Sequence, residues 1–198
     1  PAHGSVVAAR DFGTAVRVRL GAYLTDEPVI CIRCGNSILE RTAAHALCCA
    51  APEGTRGHYD VRDKVFHLVQ LGDAGAVTEV PELIPSAPAL RPADILTTAA
   101  IPGCQAALDI GVCSPDASGA GQDCCETMWR KKRERYCEHF EEMAERNLRY
   151  VPLVLSCYGR LHPEAQVTME RLAVQAARKQ GVSNPRALLR RPAAAAAA

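Results

Sequence analysis

The sequence predicts a mixed α/β fold, a small central sheet covered by helices. Three observations carry this expectation. Apolar residues recur at helical spacing in two well-separated stretches, 59–71 and from Pro163 to Gly181. Two short strand-like runs, Asp94–Thr98 and Gln105–Cys113, flank a Pro102-Gly103 turn. A long amphipathic stretch near 122–148 is followed at once by a further apolar run, Val151–Cys157.

Taken in order, Thr14–Leu24 reads as a strand, because Val16, Val18 and Leu20 alternate with Arg17 and Arg19. Residues 29–50 hold a dense Cys/His cluster. Val61, Val65, Leu68 and Val69 then define the first helix face. Residues 72–91 are rich in Gly and Pro, with a short strand expected at 77–80 and a loop through Pro81, Pro85 and Pro88. The hairpin, a turn-like stretch Ser114–Gly121, the long helix and the last strand follow. Pro163 opens a final helix with Ala165, Met169, Leu172 and Ala176 on one face, and Gly181 stops it. The expected layout is an extension (1–28), a Cys/His unit (29–50), an α/β domain (55–181) and a low-complexity tail (182–198) outside the fold. No internal repeat is present.

Composition narrows the function classes. The chain has 198 residues, 48% of them apolar, and a formal net charge of +1. Any nucleic-acid surface must therefore come from local clusters. One is Arg130, Lys131, Lys132, Arg133 and Arg135; a looser one is Arg178, Lys179, Arg186, Arg190 and Arg191. No run of about 18 apolar residues offers a membrane span, and no signal peptide is visible. The 10 cysteines therefore point to a reducing compartment, nuclear or cytoplasmic, as metal ligands or buried thiols. The chain starts at Pro1, which reads as a piece of something longer.

Cys31-Ile32-Arg33-Cys34-Gly35 is a Cys-x2-Cys turn. His45 and Cys49 follow at a spacing of four, so a short helix would present both on one face and close a structural Zn²⁺ site. Cys48 is the competing fourth ligand, and the alternative for the whole group is ordinary buried thiols.

Asp109 interrupts an otherwise apolar strand, and Asp94 opens the strand before it. A buried acid is costly unless paired or bound to a cation. The hairpin brings the two acids together, and Mg²⁺ is the hard, oxygen-seeking ion suited to relieve their repulsion. The plainer readings are a turn residue for Asp94 and an Arg-paired acid for Asp109. Lys132 falls on the apolar stripe of the long helix, between Trp129 and Tyr136, while Lys131 does not. It either reaches a phosphate or an attacking water, or snorkels along the core edge.

Taken together, these features resemble the C-terminal region of site-specific non-LTR retrotransposon polyproteins. There a CCHC zinc knuckle precedes a restriction-like endonuclease of the PD-(D/E)xK superfamily. The resemblance covers about residues 29–160. It rests on Cys31, Cys34, His45 and Cys49, on Thr55-Arg56-Gly57-His58, on Arg91-Pro92-Ala93-Asp94, on Ala107-Leu108-Asp109-Ile110-Gly111-Val112, and on Lys132 four residues before Tyr136. It implies a restriction-endonuclease-like αβββαβ core and an enzyme that nicks DNA to prime reverse transcription by an upstream reverse-transcriptase domain absent from this chain. It implies Mg²⁺ on Asp94 and Asp109, catalysis by those acids with Lys132, and Zn²⁺ in the knuckle. Tyr136 would touch the phosphate or pack. Arg56, His58, Arg130, Lys131 and Arg133 would contact DNA, or the element's RNA. Three departures stand out: Ala93 separates Pro92 from the first acid, Gly111 occupies the superfamily's lysine position, and Tyr59 follows the motif histidine. Two other readings fit the same residues: a degenerate nuclease fold that binds nucleic acid without cutting it, and a structural interaction domain.

Overall fold

The computed structural model describes residues 9–43, 45–46, 49, 56–117 and 119–189. A four-stranded sheet runs β3 (Val77–Thr78), β4 (Ile95–Thr97), β5 (Gln105–Cys113) and β6 (Leu148–Ser156), in that spatial order. β3, β4 and β5 are antiparallel neighbours, whereas β5 and β6 are parallel, with Asp109 opposite Pro152. The parallel pair needs a crossover. It is supplied by α3 (Cys124–Tyr136), a 3-10 turn (Cys137–His139) and α4 (Phe140–Glu145).

Strand alternation sorts β5 onto two faces. Ala106, Leu108 and Ile110 join one core with Val65, Leu68 and Val69 of α2 (Arg56–Gly72) and Leu172 and Ala176 of α5 (Pro163–Gln180). Ala107 faces the other way, into a second core with Tyr136, Met143, Leu148 and Tyr150. The helices thus cover both faces, and the mixed α/β expectation holds. α2 and α5 cross closely at Gly72, where an added Cβ would lie 2.9 Å from the Ala176 nitrogen.

Several expectations change. Residues 14–24 do not form a strand: α1 spans Ala9–Arg19. Alternation stabilises a strand only beside a partner edge. Without one here, the backbone groups satisfy each other within a helix. The long helix does not run unbroken over 122–148; its 3-10 turn redirects α4 so that Phe140 and Met143 pack with Tyr150. Asn147 (φ 56°) ends that segment, its side-chain amide donating to the Gly103 carbonyl at 2.9 Å. β6 begins at Leu148, where it meets Gln105. Residues 182–189 belong to the fold: α6 (Pro185–Leu189) buries Leu188 in the first core. Gly181 does terminate α5, in the left-handed conformation with φ 64°. No helix among the described residues is long and apolar enough to cross a membrane.

Candidate active site

β4 and β5 present their acids to one region. Asp94 immediately precedes β4, and its backbone N–H donates to the Leu108 carbonyl at 2.9 Å. Its carboxylate accepts the Ile110 N–H (2.6 Å) and faces His58 Nε2 at 3.2 Å. Asp109 points toward α3. Lys132 Nζ donates to its Oδ1 at 2.5 Å, and the Tyr150 hydroxyl donates to its Oδ2 at 2.5 Å. His58, Asp94, Asp109 and Lys132 therefore converge, from α2, β4, β5 and α3. Each acid has a cationic or protonatable partner.

The two carboxyls differ electrostatically. Burial pushes Asp94 upward, but the hydrogen bonds from His58 and the Ile110 N–H, with the positive charge of His58 and Lys132, hold it below the ordinary range. Burial raises Asp109, and the Lys132 and Tyr150 contacts offset only part of that rise. His58 is raised, chiefly by its hydrogen bond to Asp94. Tyr150 is raised by burial and by the adjacent Asp109 charge.

Gly111 explains how Lys132 reaches Asp109. An added Cβ there would lie 2.6 Å from Lys132 Cε. The lysine stem crosses the strand where that side chain would stand. A cavity of about 790 Å³ opens beside it, lined among others by His58, Gly111, Lys131, Lys132 and Cys113. It lies toward the C-terminal ends of the parallel pair β5 and β6, the usual side for ligands in sheets of this kind.

Other expected site residues fare differently. Tyr136 is 2% exposed and donates its hydroxyl to the Arg91 carbonyl at 2.9 Å. Its ring lies 4.8 Å from that of Tyr150. Packing, the second of its two expected roles, is what the geometry assigns. His58, expected on DNA, faces Asp94 at 3.2 Å and lines the cavity. Arg130 is exposed and pairs with Glu126 at 3.1 Å. Arg133 lies 5.0 Å from both the Trp129 and Phe140 rings. Lys131 lines the cavity. The Arg56 side chain, Arg190 and Arg191 lie outside the described residues. Tyr150 lies just before the expected strand Val151–Cys157 and carried no sequence signal; its role needs the parallel register, which sets it opposite Ala107, so that its hydroxyl reaches Asp109.

The knuckle is a separate constellation. Cys31, Cys34, His45 and Cys49 bring their ligand atoms within 4.8 Å of one another, a donor set compatible with zinc. Cys31 and Cys49 sulfurs are 3.8 Å apart, and Cys34 Sγ is 3.4 Å from His45 Nε2. A small hairpin, β1 (Val29–Ile30) with β2 (Ile38–Leu39), supports the turn. Gly35 takes φ 69°, and the N–H groups of the residues after it turn toward the Cys34 thiol. The Asn36 and Ser37 N–H groups bring Cys34 down to about 5. Cys49 completes the set; Cys48 lies outside the described residues. Arg33, Ala46 and Cys49 also line the cavity beside Lys132.

No protein-family model, curated protein or solved structure matches this chain.

Proposed function

We propose that this chain is a metal-dependent DNA endonuclease, the nicking module of a retrotransposon polyprotein whose upstream reverse transcriptase extends the exposed 3′ end. One observation carries the reading: two acids from adjacent strands and a lysine from the crossover helix converge beside an open cavity. Asp94 and Asp109 provide hard oxygen donors for Mg²⁺. That ion, when bound, supplies Lewis acidity and an acidified water. Tyr150 orients Asp109 through Oδ2, and Tyr136 braces Tyr150. Lys132 Nζ, at the cavity wall, is placed to hydrogen-bond a phosphate oxygen or the attacking water. His58 balances the Asp94 charge and stands at the same wall. Lys131 and the knuckle wall hold the DNA backbone, so affinity falls with salt.

The test is nicking of supercoiled plasmid with Mg²⁺. Asp94→Asn, Asp109→Asn and Lys132→Ala should each lower the rate by about 100-fold or more, the scale of losing one electrostatic contributor. Equal cutting by all three variants would overturn the proposal. A second reading, binding without cleavage, draws on the fact that both Asp109 oxygens already accept protein donors. It calls for nucleic-acid binding unchanged by Asp109→Asn and no nicking by the wild type.

A further inference from the structure

Three of the cysteines that the proposed chemistry leaves idle lie together. Cys113 ends β5, and Cys124 and Cys125 open α3. Their sulfurs lie within 4.8 Å of one another, and all three residues are buried. The Cys113 and Cys125 sulfurs are 3.7 Å apart. A tetrahedral ion with Zn–S bonds near 2.3 Å places its thiolates about 3.8 Å apart. The knuckle pair Cys31 and Cys49 shows the same spacing, 3.8 Å.

We propose that Cys113, Cys124 and Cys125 form a second thiolate metal site that takes Zn²⁺, separate from the knuckle and independent of the nuclease reading. Three soft sulfur donors select such an ion over Mg²⁺. Three thiolates around a divalent ion leave one negative charge in a buried place, and two features balance it. Cys124 and Cys125 occupy the first turn of α3, the positive end of its dipole. Arg160, held on Asp123, places its guanidinium beside the same two thiols. Cys113 and Cys124 line the cavity, as does Cys157. The Cys157 N–H donates to the Cys113 carbonyl at 2.7 Å, tying that turn to the cluster. The Cys113 and Cys125 thiols donate to the Leu155 and Arg160 carbonyls at 3.5 and 3.6 Å, and metal uptake would release those protons.

The site acts as a clip. It joins β5, four residues beyond Asp109, to the start of α3, two turns ahead of Lys132, and so fastens together the elements that carry both halves of the ion pair.

The test is metal content of the full chain, by mass spectrometry after growth in Zn²⁺ and by Co²⁺ titration followed through thiolate-to-cobalt absorption. Cys113→Ser with Cys125→Ser should lose one equivalent relative to wild type while far-UV circular dichroism is kept. Cys31→Ser with Cys34→Ser should still bind one Co²⁺ with thiolate absorption. An unchanged zinc content in the first variant, or no thiolate-bound Co²⁺ in a folded second variant, would overturn the site. Neither readout uses nicking, so failure of the nuclease reading would leave the result intact.

Discussion

At the scale of single residues, Gly111 shows what a missing β-carbon can do. Gly111 carries no side chain, and the stem of a lysine from α3 fills the space where one would stand. An alanine methyl would stand 2.6 Å from Lys132 Cε, so the lysine stem must shift and carry the ammonium from its present position on Asp109. Gly111→Ala is expected to slow nicking by about 100-fold, the penalty for displacing a reacting group by roughly 1 Å. It should cost only about 1–3 kcal/mol of stability by urea unfolding, as overpacking does. A variant that nicks like wild type would show that Lys132 does not act from this position.

At the scale of elements, the sheet is held to its helices by polar anchors as well as by cores. Asp73 follows α2 and accepts from Thr97 Oγ1 and the Thr98 N–H at 2.7 Å, and from Thr98 Oγ1 at 2.9 Å. Burial raises its carboxyl, but the donors from Thr98, Thr97 and Gly75 outweigh burial and lower it. An acid with a lowered folded pKa adds stability that is complete above its unfolded pKa and is lost as pH falls through the folded one. Asp73→Asn should therefore cost about 1–2 kcal/mol at pH 7, the scale of hydrogen bonds to a charged group. The gap from wild type should narrow in acid below the ordinary carboxylate range. Thermal unfolding of both proteins between pH 7 and pH 2 measures it, and a gap independent of pH would refute the anchor. The broken crossover helix belongs to this scale too. Its apolar stripe was visible in the chain, but the turn at Cys137–His139 answers to the position of Tyr150 on β6.

At the scale of the whole molecule, α6 closes the first core. The Ala-rich end of the sequence suggested a tail from residue 182 onward. Leu188 is nevertheless 4% exposed and packs with the α2 and α5 core residues. Leu188→Ala should destabilise the protein by about 2–4 kcal/mol in urea, a cavity-forming change; Leu189→Ala, on an exposed neighbour, should be within about 0.5 kcal/mol of wild type. Equal effects of the two would place this segment outside the core. With a net charge of only +1, the molecule depends on local basic groups near the cavity for any attraction to DNA.

Much was legible in the chain itself. β5 runs from Gln105 to Cys113 as the apolar run after the Pro102-Gly103 turn indicated, and α5 starts at Pro163 and stops before Gly181 as those residues require. Cys-x2-Cys spacing located the knuckle, and the cost of an acid in an apolar strand singled out Asp109. Those features are local: propensity, capping and desolvation act on neighbours in sequence. The partners were decided elsewhere. His58 meets Asp94 across 36 residues, Lys132 meets Asp109 across 23, and Tyr150 meets it across 41. Such meetings depend on strand register and on which sheet face each crossover covers. Periodicity within one segment contains neither, so only the packed structure could select the counter-charge for each acid and gather three idle thiols at one corner.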